Sequence, residues 1–314
     1  MADEKTIVTL TLNPCLDISA EVDDLKPDNK LRCRNVRREP GGGGVNVSRA
    51  ITLLGGRARA VFPAGGGTGK RIDESLKRMG VDSHPVFIER LTRESFAVRE
   101  LHHGEQYRFA MPGPELKEWQ MCLQTVIDFD PPPAYLILSG SLPPGVPENF
   151  YAQLARHFAD LPTKVILDTS GKPFELALGE QIYLIKPNQQ ELEQHCDCSL
   201  AEEKDQEKLC RELVDKNSCE VLILTLGKNG ALLTTRDDQF RAAGIEVDEV
   251  SSVGAGDSFV GGMILALQRG WQMRDAFLYG MAAGTAAMLS EGTQLCDKDD
   301  TDRFFKILQQ RQRG

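Results

Sequence analysis

Short runs of apolar, often β-branched residues alternate along the chain with longer segments whose apolar residues recur every third or fourth position. The runs Thr6 to Leu12, Ala58 to Pro63, Ala134 to Ser139, Lys164 to Asp168, Ile182 to Ile185 and Val221 to Leu226 predict strands. Several are apolar almost without a break, as a strand covered on both faces requires. Between them, Glu148 to Leu161 spaces Phe150, Leu154 and Phe158 by one helical turn, and Glu202 to Val214 sets Leu209 and Leu213 among charges. Both patterns predict amphipathic helices. The alternation predicts an α/β fold with a mainly parallel central sheet flanked by helices.

Two segments break that rhythm. Asp17 to Val36 is polar and strand-like with no helix after it. Ser95 to Met111 alternates as Phe96, Val98, Glu100, then Tyr107, Phe109, Met111 around His102-His103-Gly104-Glu105, a hairpin pattern in which Gly104 can supply the positive φ of a tight turn. These stretches, about residues 17–38 and 93–111, predict a small β appendage on a single domain spanning residues 1–314. It is a candidate lid or subunit interface, with an ordinary edge hairpin as the alternative.

Composition narrows the picture. The 314 residues would suit one large domain or two, but no internal repeat or low-complexity linker divides them, and Pro131-Pro132-Pro133 reads as a stiff loop entering a strand. A hydrophobic fraction of 41% is enough for an extensive core and excludes global disorder. A net charge of -9 is opposite in sign to what a binder of phosphate backbones carries, so nucleic acid is not an expected partner. No window approaches the roughly 18 apolar residues of a membrane span, and the opening MADEKTIVTL is too acidic for a signal peptide. A cytoplasmic protein without membrane contact is expected. The 8 cysteines lack any C-x-x-C pair and read as reduced thiols. His195-Cys196-Asp197-Cys198 has no second ligand pair at zinc spacing, so a polar helix end is expected there rather than a metal site.

Three glycine-rich segments are candidates for holding a phosphate or a sugar. A dinucleotide fingerprint starting at Gly42 would need glycine at Val47, and one starting at Gly254 would need glycine at Phe259. A P-loop over Gly65 to Lys70 would need glycine at Ala64 and Ser or Thr at Arg71. Those readings fail. Ser252-Val253-Gly254-Ala255-Gly256-Asp257-Ser258 instead feeds a helix marked by Phe259, Val260, Met263, Ile264 and Leu267. The first N-H groups of a helix lack internal partners and carry partial positive charge, so an anion can sit on the backbone of Gly254, Ala255 and Gly256. Asp257 in that first turn could accept a proton from an attacking hydroxyl, or it could simply cap the helix. Lys186-Pro187-Asn188-Gln189-Gln190-Glu191 follows an apolar strand, with Asn188 and Glu191 three apart on a starting helix. An amide and a carboxylate so spaced suit a hydrated magnesium ion, and a capping box is the alternative.

Taken together, Gly41-Gly42-Gly43-Gly44-Val45-Asn46-Val47, the segment Val253 to Ser258, and Asn188 with Glu191 resemble the signatures of the PfkB family of sugar kinases, which have the ribokinase-like fold. The resemblance runs from Thr9-Leu10-Thr11-Leu12-Asn13-Pro14 to Gly292-Thr293, nearly the whole chain. Lys30-Leu31-Arg32-Cys33, Glu39-Pro40, Gly104 to Phe109 and Ser139 to Gly145 are most similar to the branch that phosphorylates the C1 hydroxyl of fructose 6-phosphate with ATP. The sister branch acting on fructose 1-phosphate typically carries a lysine in the first glycine signature, where this chain has Gly42 and Gly43.

The resemblance implies a role for each matching residue. Asp17, Gly42, Gly43 and Asn46 would hold sugar hydroxyls, with Ser141 also on the substrate side. Lys30, Arg93 and Arg108 would bind the substrate's own phosphate, a cationic cluster that a neutral sugar would not need. Lys186, Asn188, Thr225, Gly227 and Gly230 would take ATP, Asn188 and Glu191 its magnesium, and Asp257 would be the catalytic base. The appendage would be a lid that often packs on a second subunit, which implies a homodimer. Some members of the family also bind potassium, and the comparable region here is Ser251, Val253, Ala287, Ser290, Gly292 and Gln294. Ser290 and Gln294 depart from the Asn and Arg of the nearest branch. The rival expectations are a kinase for tagatose 6-phosphate or fructose 1-phosphate, and a noncatalytic sensor of sugar phosphate or nucleotide that has kept the fold. A dehydrogenase would require the failed glycine spacing to be irrelevant.

Overall fold

In a computed structural model, residues 6–290 and 292–313 are described. The chain opens with β1 (Ile7–Leu10), β2 (Cys15–Val22), β3 (Arg34–Gly41), α1 (Gly43–Leu53), β4 (Arg59–Gly65), α2 (Gly66–Arg78) and β5 (Asp82–Ile88). It continues through β6 (Arg93–Glu100), β7 (Gln106–Ala110), α3 (Trp119–Ile127), β8 (Tyr135–Ser139), α4 (Phe150–Phe158), β9 (Lys164–Asp168), α5 (Lys172–Ala177) and β10 (Leu184–Ile185). Then follow α6 (Gln189–Cys196), α7 (Glu203–Asp215), β11 (Val221–Thr225), β12 (Ala231–Thr235), β13 (Gln239–Ala242), α8 (Ala255–Gln268), α9 (Met273–Ala287) and α10 (Lys298–Arg313).

The main sheet has the order β13-β12-β11-β10-β9-β8-β1-β4-β5, parallel from β11 through to β5, with β12 and β13 antiparallel at one end. Its central strands are apolar at successive positions because both faces are covered. Ile7, Ile137, Ile166 and Ile223 pack with Val47, Phe259, Ala282 and Leu308 from α1, α8, α9 and α10. Their neighbours Leu136, Leu138, Val165 and Leu222 pack against Val126, Phe150, Leu154 and Val214 from α3, α4 and α7 on the opposite face. Side chains of successive strand residues point to opposite faces, so one continuous apolar run serves two cores.

The predicted strands are all present, Lys164–Asp168 with its predicted ends and the others shifted. The one at Ile182 to Ile185 shortens to two paired residues, because Pro187 has no N-H to continue the ladder; its carbonyl instead accepts from Thr225 N at 3.1 Å. Edge strand β5 escapes the pattern, since Asp82, His84 and Pro85 make it read as loop, and such residues blunt a sheet edge. The helix α6 ends at Cys196 with Asp197 in the left-handed region at φ 48°, a polar helix end. No described helix is long and apolar enough to cross a membrane.

A second sheet, ordered β3-β2-β6-β7, stands beside the first. Strands β2 and β6 run parallel, and β6 turns back into β7 through Gly104 at φ 75°. Leu16 is buried beneath this sheet, whereas Phe96, Tyr107, Phe109 and Met111 are exposed on it.

Ile137 has no exposed surface and lies mid-sheet between helices. Ile137→Ala is expected to lower the unfolding free energy by about 2–5 kcal/mol, read from urea titration, because the surrounding layers cannot close on the space it leaves.

Candidate active site

Gly43, Asn46, Lys186, Gly254, Gly256 and Asp257 gather where strands of the main sheet end and where α1 and α8 begin. Helix α8 is preceded by Gly254, whose φ of 74° is left-handed and whose Cβ, if present, would collide with Leu295. No side chain caps this helix. Asp257 is therefore not spent as a cap; its Oδ2 accepts from Asn46 Nδ2 at 2.9 Å. The first-turn N-H groups and an unspent carboxylate thus share one corner.

Asn46 reaches that corner because α1 starts deep against the sheet. A Cβ on Gly43 would collide with Ser139 Oγ at the end of β8, so the close approach requires glycine there. Val45 N donates to Thr11 Oγ1 at 2.8 Å and secures the helix start on the segment after β1. Lys186, which follows β10, is 7% exposed and pairs with Asp168 Oδ1 at 3.1 Å. A Cβ on Gly256 would lie 3.3 Å from Lys186 Nζ, so the ammonium also reaches the start of α8.

These charges set one another's protonation. Burial first, and Asp168 second, push the Asp257 carboxyl up from 3.8 to about 6, against the opposing pull of Asn46, Lys186 and Arg49. Burial alone would lower the Lys186 ammonium, but Asp168 outweighs it and holds the group above its ordinary value. Burial also raises Asp17, opposed by the thiol of Cys15 at 2.9 Å and by Arg49 and Arg93.

On the far side of Gly256 opens a cavity of about 770 Å³. Asn188, Thr225, Gly227 and Gly230 line it together, as the sequence grouped them, and Ala255 and Gly256 form its inner edge. Its apolar wall of Val247, Phe259, Met281 and Met288 gave no motif to read. Asn188 and Glu191 form a reciprocal capping box: Glu191 N donates to Asn188 Oδ1 and Asn188 N to Glu191 Oε2, both at 2.8 Å. Among the described residues no cluster of three acidic, His or Cys side chains could hold a bare metal ion. The site fits only an ion that keeps most of its waters, as magnesium does, with Asn188 and Glu191 oriented by their own cap.

On the other side of Asp257, Arg93 opens β6 beside Cys15 and donates to the carbonyls of Asn13 and Met111, both at 3.0 Å, leaving its buried Nε unpartnered. Asn13 Nδ2 donates to Ser141 Oγ at 3.1 Å, which draws Ser141 into the same corner. Arg108 lies on edge strand β7, exposed and opposite Ala97. Lys30 is exposed in the loop joining β2 to β3, which leaves those strands at the end opposite Cys15 and Gly41. In the region compared with a potassium site, Ser251 and Ser290 donate their hydroxyls to the carbonyls of Gly292 and Leu295 at 3.2 and 3.0 Å.

Sequence reasoning missed Asp168, Arg49 and Thr293. Asp168 closes a predicted strand, where sites in open α/β sheets form, and that position was its signal. Arg49 was the charge out of place in the apolar stretch Val45 to Leu54.

The fold and the corner around Asp257 are those of a sugar-kinase class, and comparison with known proteins agrees. The family described as pfkB family carbohydrate kinase matches residues 10–300, and the chain belongs to it. It is 41% identical over 303 residues to the ATP-dependent 6-phosphofructokinase isozyme 2 of Mycobacterium tuberculosis, covering 96% of this chain and 89% of that one. Identity to the ATP-dependent 6-phosphofructokinase isozyme 2 of Escherichia coli is 39% over 305 residues, covering 96% and 98%. The crystal structure of the E. coli phosphofructokinase-2 in complex with substrates and products superimposes with a TM-score of 0.92 at 38% identity, covering 97% of this chain and 99% of that chain. The fold is accordingly ribokinase-like, and the chain is a carbohydrate kinase of the PfkB family.

An aspartate that holds its proton up to about 6 stabilises the folded state below the ordinary value of 3.8 and loses that contribution as pH rises through 6. Asp257→Asn is therefore expected to raise Tm near pH 7.5, with the gain vanishing toward about pH 4, in paired calorimetric scans.

Proposed function

We propose that this kinase transfers the γ-phosphoryl group of ATP to the C1 hydroxyl of fructose 6-phosphate, giving fructose 1,6-bisphosphate and ADP. One observation carries the reading: an unspent, solvent-poor carboxylate stands at the uncapped start of α8, bonded to Asn46 and next to the residue that lines a cavity of nucleotide size. ATP would occupy the cavity along Asn188, Thr225, Gly227 and Gly230. Fructose 6-phosphate would lie against Asp17, Gly42, Gly43 and Asn46, with Arg93, Arg108 and Ser141 toward its phosphate. Lys30, exposed in the loop between β2 and β3, would join Arg93 and Arg108 on that phosphate.

Asp257 takes the hydroxyl proton as the new O-P bond forms and the bond to ADP breaks. A carboxyl with a value of about 6 is ionised at neutral pH yet basic enough to accept a proton. The backbone N-H groups around Gly254, Ala255 and Gly256, with the Lys186 ammonium, oppose charge on the phosphoryl group in flight. Magnesium, held through water by Asn188 and Glu191, would supply positive charge to the phosphates.

The small sheet would close over the sugar and exclude water that otherwise competes for the phosphoryl group. Its exposed Phe96, Tyr107, Phe109 and Met111 support a homodimer formed through that face. Sedimentation at micromolar concentration is expected to give twice the chain mass of 34.7 kDa, and Phe109→Glu to give the monomer. The 8 unpaired thiols suit a cytoplasmic setting.

Initial rates with ATP and magnesium on fructose 6-phosphate, fructose 1-phosphate and tagatose 6-phosphate test the reading, and kcat/KM is expected to be highest for the first. A preference for another sugar phosphate would reassign the substrate, and binding without product would leave a sensor. Asp257→Asn is expected to lower kcat about 10²- to 10⁴-fold with little change in either KM.

A further inference from the structure

Arg49 sits within α1 with 5% of its surface exposed, and the mechanism above makes no use of it. One terminal nitrogen of its guanidinium donates to Pro40 O at 2.6 Å and to Asn46 Oδ1 at 3.1 Å. The other donates to Glu39 Oε1 at 3.1 Å and, at the limit of hydrogen bonding, to Thr293 O at 3.5 Å. Thr293 Oγ1 donates to the second oxygen of Glu39 at 2.7 Å, so the carboxylate that anchors Arg49 is itself held. Three separate parts of the chain meet in this knot: β3, α1 and the segment after α9.

The consequence lies in Asn46. A primary amide has a donor end and an acceptor end of nearly equal shape, and its last torsion is soft. Only one orientation serves Asp257, whose ionised carboxylate can only accept. Arginine has donors alone, so Arg49 tolerates only the carbonyl end of Asn46 and leaves the amino end for Asp257. We propose that Arg49, anchored by Glu39 and Thr293, is a positioning residue that fixes the amide of Asn46 and through it orients the Asp257 carboxylate for proton transfer. The effect on turnover rests on the kinase reading above, whereas the effect on Asp257 itself does not. The charged groups facing Asp257 are Asp168 at the end of β9, Lys186 after β10 and Arg49 from α1; Arg49 itself faces Glu39 and Asp17 as well.

Removing one member of a buried ion pair strands the other, so the test removes both, in the double variant Glu39→Gln with Arg49→Gln, and keeps the charge in Arg49→Lys. Carboxyl-carbon NMR of aspartate-labelled protein follows the Asp257 resonance, assigned by its loss in Asp257→Asn, and kcat and KM are measured across pH on the same samples. In the double variant the Asp257 midpoint is expected to rise above about 6, because Arg49 pulls it down whereas Glu39, lost with it, faces Arg49 rather than Asp257. The acidic limb of kcat should move with it, and kcat should fall about tenfold or more with the KM for ATP within about twofold. Arg49→Lys should leave the midpoint within about 0.3 units yet lower kcat, because one ammonium cannot hold Glu39 and Asn46 as a planar fork does. An unmoved midpoint with unchanged kcat in the double variant would overturn the proposal, as would a moved midpoint with unchanged kcat. If the double variant does not fold, full turnover in Arg49→Lys overturns it alone. A wild-type chain that phosphorylates none of the sugar phosphates sinks the kinase reading, and the NMR midpoints still decide whether Arg49 governs Asp257.

Discussion

Asp257 keeps its proton to a higher pH than an aspartate in water because solvent is scarce around it and Asp168 faces it. Two like charges in such a place are tolerable only with Lys186 and Arg49 beside them, and those cations in turn are held by Asp168 and Glu39. The rest of the architecture serves that arrangement. A parallel sheet ends its strands on one side, so Asp168 and Lys186, from neighbouring strands β9 and β10, arrive side by side. Helices α1 and α8 then bring Asn46 and Asp257 to the same edge from opposite directions in the sequence.

Charge in a solvent-poor corner is costly, and the surrounding fold must supply rigidity to keep it paired. Glycine provides part of that rigidity by omission. Without a side chain at residue 43, α1 can rest its first turn directly on the end of β8, and Asn46 then has no freedom to withdraw. Both layers of helices bury apolar surface against the sheet, so the strand ends are fixed from two sides.

How much of this the sequence disclosed depended on distance along the chain. Apolar runs such as Tyr135 to Ser139 announce a strand covered on both faces, and the spacing after Gly254 announces a helix, because both signals are local. The pair Asn188 and Glu191 was legible down to its capping box for the same reason. The tie between Asn46 and Asp257 spans residues far apart in sequence, and nothing in either neighbourhood specifies it. Strand β5 was hidden by its own edge chemistry, since Pro85 and the charges that protect a sheet margin resemble those of a loop.

Gly256 and Asp257 are consecutive, yet the first lines the large cavity while the second bonds Asn46 on the other side. One step along a helix turns the backbone by about 100° and advances it about 1.5 Å. One peptide unit therefore joins a residue that faces the cavity to one that faces Asn46. A shift of α8 by one residue would turn Asp257 away from Asn46 and set its neighbour in its place.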